Sequence, residues 1–177
     1  MNANNSRIVA LLSAILVAAV LRLVPHPPNF TPIGAMALFS GAYLGRRPLA
    51  FAAPLGAMVL SDAVLGFYSG VWVTYLAVAM IVVVGWAALS KVSVLRVGGA
   101  AVSSSILFFL VSNFGTWALG GLYPHTLAGL TACYVAAIPF FQNTIAGDLF
   151  YATLLFGGFR VAELLMPSLR AGQAQPA

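Results

Sequence analysis

Acidic residues are almost missing from this chain. Three Asp or Glu stand against eight Lys or Arg in 177 residues, and charged residues make up 6% of the total, where soluble domains carry about a quarter. A water-facing surface cannot be built from such a set, so a soluble enzyme or carrier is excluded. Cysteine is reduced to Cys133, which forbids an internal disulfide and leaves the redox compartment unread. The two histidines, His26 and His125, both neighbour proline and are too few for a metal site. There is no P-loop, HExxH, GxSxG or Cys/His cluster, and three acids give a membrane hydrolase little to work with. The expectation is a non-enzyme with no cofactor and no metal.

What fills the chain is hydrocarbon: 62% of residues are hydrophobic and mean hydropathy is +1.01. The length allows about six spans of roughly 20 residues and no soluble domain of ordinary size. The apolar runs predict an all-α, polytopic membrane protein. Its spans are Ile8 to Val24, Phe30 to Leu44, Leu49 to Leu65, Val71 to Leu89, Val97 to Leu119 and Gln142 to Leu165. Proline marks their ends or interrupts them, because it removes a donor and fixes φ. The first run ends at Arg22 and Pro25 without a small-residue cleavage site, so it reads as an uncleaved span. Between the last two spans, Thr126 to Ile138 is apolar but short for a crossing and closed by Pro139, which suggests a surface or re-entrant helix. Residues 1–167 form one transmembrane domain, and residues 168–177 a polar, flexible tail.

Charge placement tests this map independently. Six spans with a cytoplasmic N-terminus put Arg7, Arg46, Arg47, Lys91, Arg96, Arg160 and Arg170 inside and Arg22 alone outside, as the positive-inside rule requires. The expected location is the inner cell membrane, multi-pass, with both termini cytoplasmic. The basic residues then serve topology, and no nucleic-acid partner is implied. Arg160 and Glu163, three apart on one helix face, can pair locally.

Depth follows from the rise of ~1.5 Å per helical residue. Asp62 falls within about a turn of the outer boundary, while Asn113 and Asp148 lie roughly 9 Å below it. Asn29, Tyr68, Trp72, Trp117, Tyr123, His125, Gln142 and Asn143 share that outer layer. Buried ionisable groups cost about 2.5–3.5 kcal/mol each on insertion scales, so they face a partner or a wet cavity. A cavity open to the outside is expected. Simpler roles stand beside this one. Asp62 can cap a helix or pair with Arg22, Asp148 can belong to an internal network, Asn113 can tie helices, His125 can be a loop residue, and Cys133 can be packing. Likewise Ala14, Ala18, Gly34, Gly41, Gly45, Gly98 and Ala101 make smooth faces for internal packing or for a second membrane subunit.

Several strings are distinctive: Arg22-Leu23-Val24-Pro25-His26-Pro27-Pro28-Asn29-Phe30-Thr31-Pro32, Leu60-Ser61-Asp62, Ser112-Asn113-Phe114-Gly115-Thr116-Trp117, Tyr123-Pro124-His125-Thr126, Ile138-Pro139-Phe140-Phe141-Gln142-Asn143-Thr144 and Gly147-Asp148. In these the chain resembles an uncharacterised family of small bacterial membrane proteins. That family is similar in turn to the substrate-binding S components of energy-coupling factor transporters. The resemblance implies a six-helix bundle that captures a vitamin-like nutrient or micronutrient in an outward-facing pocket. It also implies a coupling membrane subunit with ATPases as partner. Carried over, Asp62, Asn113, Trp117, His125, Asn143 and Asp148 would line the pocket, and Ala14 with Ala18 would meet the coupling subunit. The other reading is a membrane scaffold or assembly protein whose polar outer layer meets another protein.

Overall fold

The computed structural model describes residues 3–170, with side chains from Asn5 onward. Every regular element among them is helical: α1 Ala3–Leu21, α2 Ile33–Leu44, α3 Pro48–Leu65, α4 Val71–Ala88, α5 Val94–Leu119 and α6 Leu127–Ala152. A π-helical turn, Thr153–Gly157, joins α6 to α7, Gly158–Leu165, and a 3₁₀ turn, Pro167–Leu169, follows. Four helices are long and apolar enough to cross a membrane: α3, α4, α5 and the continuous Leu127–Leu165 helix. The apolar parts of α1 and α2 are shorter.

The helix ends follow local chemistry. Pro48 opens α3, where its missing N–H costs nothing. The Ser93 and Thr126 hydroxyls accept the backbone N–H groups of Arg96 and Gly129 and so cap α5 and α6. Gly45 and Gly66 stop α2 and α3 at positive φ.

Helix α2 is the axis of the bundle. From Ile33 to Gly41 every residue is buried, and its tightest neighbour is α4. A Cβ on Gly41 would lie 2.9 Å from the Trp86 nitrogen, and one on Gly85 would lie 3.0 Å from the Leu38 Cα. Two glycines on facing helices thus let the backbones touch, the small-residue packing that membrane bundles use where the hydrophobic effect is absent. Here Gly34 and Gly41 serve internal contact, whereas a Cβ on Gly45 or Gly98 would meet nothing within 4 Å.

At 12 residues, α2 covers only ~18 Å, a little over half of a hydrocarbon core of about 30 Å. The sequence expectation began this span at Phe30. Instead the chain from Pro25 to Pro32 stays irregular, because prolines at 25, 27, 28 and 32 withhold donors. The segment is fastened to α6. Asn143 donates from Nδ2 to the Pro28 carbonyl at 2.9 Å, the Phe30 ring packs on Phe150 and Tyr151, and a Cβ on Gly147 would meet the Phe30 Cα at 3.1 Å.

A second departure concerns Thr126 to Ile138. It is not a separate surface or re-entrant helix, since α6 runs unbroken through Pro139. Pro139 is exposed, so its ring meets no neighbouring helix, and proline is tolerated inside long membrane helices. The resulting helix has 39 residues, or ~58 Å. With α5 it forms a hairpin that outreaches the other helices.

The chain ends meet at the opposite end of the bundle. Arg7 pairs with Glu163 at 2.7 Å, donates to the Leu169 carbonyl, and lies over the rings of Tyr43 and Phe159. The predicted Arg160–Glu163 pair is present at 3.5 Å but is the weaker contact. Arg170 donates to the Glu163 carbonyl, so the segment after Pro167 is docked as far as residue 170. The rest of the expected tail lies outside the described residues.

Candidate ligand cavity

Each of the two membrane aspartates is held by the protein itself. Asp62, 1% exposed, accepts the Tyr75 hydroxyl at 2.7 Å and pairs with Arg22 at 2.6 Å. Arg22 also donates to the Ser61 hydroxyl. This ties the end of α1 to α3 and α4. Asp148, 3% exposed, accepts the Ser105 hydroxyl at 2.6 Å. It lies against Gly34, where a Cβ would come 2.8 Å from its Cγ. Gly34 and Ala35 belong to the first turn of α2, whose free N–H groups and dipole favour a carboxylate. The half-length helix in the middle of the bundle thus meets a carboxylate from α6 at its first turn.

The remaining candidates fall elsewhere. Trp117 donates its indole N–H to the Pro124 carbonyl and stacks edge-on against His125, closing the α5–α6 hairpin. Asn143 fastens the proline-rich segment. Ala18 is buried in the chain's own core and Ala14 packs against it. The exposed apolar face of α1 is instead Val9, Leu16, Val17 and Val20. Cys133 is buried, with its thiol toward the Asn113 carbonyl.

Of the six predicted pocket residues, Asn113 lines a cavity. That cavity, of about 430 Å³, opens at the Arg22 end between the α3–α4 turn, α5 and α6. Around Asn113 it presents Ser112 and Thr116 from α5, and Tyr68, Ser69 and Thr74 from the facing turn and α4, over Phe108, Phe109 and Phe140. No charged residue lines it. A second hollow of about 330 Å³ shares Asn29, Tyr68, Thr74 and Phe108 with the first and adds Arg22, His26 and Thr31. The two aspartates line neither.

Asn29 of the irregular segment before α2 borders both hollows. The irregular segment occupies the region a full-length helix would fill, and irregular backbone at membrane depth belongs where it is packed in protein or borders a cavity. On α5, Ser112, Asn113 and Thr116 follow the i, i+1, i+4 spacing of one polar face, a signal from which Ser112 and Thr116 could have been read. Thr74 and Ser69 carried no such signal. Among the described residues no group of three or more His, Cys, Asp or Glu could hold a metal ion.

An all-helical chain with four helices long and apolar enough to cross a membrane, acids paired inside the chain and a polar hollow at one end is compatible with a membrane protein. The chain belongs to DUF6580, a family of unknown function whose model matches residues 2–169. No curated protein and no solved structure matches it.

Proposed function

We propose that this protein captures a small nutrient at the outer face of the bacterial inner membrane for uptake, in the manner of the S components of energy-coupling factor transporters. The observation that carries the reading is the uncharged cavity around Asn113, in which a few polar side chains converge over aromatic rings, as small-molecule sites commonly show. Its orientation rests on charge. Arg7, Arg46, Arg47, Arg160 and Arg170 mark the cytoplasmic side, so the cavity faces outward and both termini face the cytoplasm. A coupling subunit with ATPases would dock on the exposed face of α1, beside rather than through Ala14 and Ala18.

The test is purification in mild detergent, mass spectrometry of co-eluting small molecules, and thermal stabilisation across a panel of vitamins and related metabolites. A ligand whose effect disappears in Asn113→Ala supports capture. A protein that carries and responds to none counts against it.

The scaffold reading is favoured by one observation: Leu122 and Leu127, 81% and 79% exposed at the α5–α6 hairpin, are apolar side chains left uncovered beside Trp117 and His125. Photo-crosslinkers at Trp117 and His125 separate the two, since a protein adduct supports the scaffold and a small-molecule footprint supports capture.

A further inference from the structure

The two hollows differ in hydrogen-bonding character. In the first, the polar side chains of α5 turn both hydroxyl donors and one amide N–H onto the preceding helical turn: Ser112 donates to the Phe108 carbonyl, Asn113 from Nδ2 to the Phe109 carbonyl, and Thr116 to the Ser112 carbonyl. What they have left for a ligand is three acceptor oxygens and the second N–H of the Asn113 amide.

The second hollow offers donors. Arg22 uses Nη1 for both Asp62 and Ser61. Its Nε and Nη2 meet no acceptor among the described residues and are not sealed from solvent. A guanidinium presents five N–H donors in a planar fork, so most of the fork remains for the hollow. The Thr31 hydroxyl beside it makes no bond within the described residues. His26 is a wall, with its ring nitrogens against the Arg22 and Pro27 carbonyls. Asp62 neutralises Arg22 at 2.6 Å, while the Ser61 hydroxyl takes the hydrogen bond from Nη1.

We infer that the ligand is a small carboxylic acid with an uncharged body. Its carboxylate takes the free edge of Arg22 with Thr31 in the second hollow, and N–H or O–H groups on its body donate to Ser112, Asn113 and Thr116 in the first. This assignment rests on the capture reading and narrows it. Arg–carboxylate forks are the strong, directional case of a hydrogen bond. Charge-assisted bonds of this kind correspond to about 10- to 100-fold in affinity.

The experiment is a matched series on the purified full chain in detergent, read by thermal stabilisation against concentration: 4-hydroxybenzoate, 4-aminobenzoate, 4-hydroxybenzamide and 4-methoxybenzoate. The hydroxy and amino acids should bind about 10- to 100-fold more tightly than the amide and more tightly than the methoxy acid, which has lost its donor. Arg22→Lys keeps a cation opposite Asp62 but loses the fork, and should erase the preference for acid over amide. Should Arg22→Lys fail to fold, Thr31→Ala, which breaks no internal bond, should lower acid affinity several-fold and leave the amide unchanged. Equal or tighter binding of the amide overturns the assignment and leaves capture standing. So does silence across the series while the vitamin panel yields another ligand. Silence in both overturns capture as well. Stabilisation that requires phosphatidylglycerol over phosphatidylcholine in nanodiscs, and is lost in Arg22→Lys, gives the fork to a lipid headgroup and also overturns the assignment.

Discussion

Replacing Gly34 by alanine probes the contact on which the centre of the bundle rests. On an ordinary helix the change would help, since alanine is about 1 kcal/mol better than glycine in a helix interior. At Gly34 the new methyl would occupy the space of the Asp148 carboxylate, 2.8 Å from its Cγ. Asp148 would have to leave the first turn of α2 and the Ser105 hydroxyl together. The loss is the hydrogen bond from Ser105 to a charged or strongly polar acceptor, about 1.5–3 kcal/mol, plus about 1–3 kcal/mol of overpacking. Set against the helix gain, the net cost is about 1.5–5 kcal/mol. The assay is thermal or denaturant unfolding in a defined detergent, followed by tryptophan fluorescence, with Gly98→Ala as control. A Cβ at Gly98 meets nothing within 4 Å, so the control should match or slightly exceed the parent. Combining Gly34→Ala with Asp148→Ala removes the clash, and the double variant should be less damaged than the two single losses added together. Equal stability of Gly34→Ala and Gly98→Ala would refute the reasoning, because the carboxylate would then not depend on that space.

Three further outcomes are expected. Gly85→Ala drives a methyl against the Leu38 backbone, which cannot rotate away as a side chain can, so the variant should lose several kcal/mol or fail to accumulate as a monodisperse peak on size exclusion. Asp62→Ala leaves Arg22, whose side chain is 11% exposed, without its counter-charge and should cost about 3–5 kcal/mol. Restoring neutrality with Arg22→Leu in the same chain should recover part of that in the same unfolding assay. Cys133, 2% exposed, should resist a maleimide probe in the folded state and react promptly after denaturation, a contrast that mass spectrometry reads directly.

The helices were largely legible in the sequence because apolar runs, prolines and glycines carry their own physics. Leu49 to Leu65 and Val71 to Leu89 match α3 and α4 to within a residue at each end. Pro139 was not legible as an interior position, since local rules treat proline as a stop, whereas a long helix supported by a neighbour absorbs one missing hydrogen bond. The π turn at Thr153–Gly157 was equally hidden. Phe156 within it packs on Phe39 and Tyr43, a contact 117 positions distant in the first case. At the candidate site, the depth argument put Asp62, Asn113 and Asp148 in one layer but could not give their azimuth around the helix. Azimuth decides that Asp62 turns to Arg22, Asp148 to α2 and Asn113 to open space. The pairing of Asp62 with Arg22 was among the alternatives the sequence allowed. That Glu163 prefers Arg7 to its near neighbour Arg160 could not be seen from spacing alone.

The clasp between Arg7 and Glu163 spans 156 positions, and that separation bears on biogenesis. The first helix leaves the ribosome with a cation whose counter-charge is not made until the last helix has been synthesised. Until then Arg7 has the Tyr43 ring but no counter-charge, and this end of α1 is locked only when the segment carrying Glu163 packs against it. Ribosome-nascent chains stopped before residue 163 should therefore remain protease-sensitive at the Arg7 end, and that sensitivity should fall once the segment carrying Glu163 is in place.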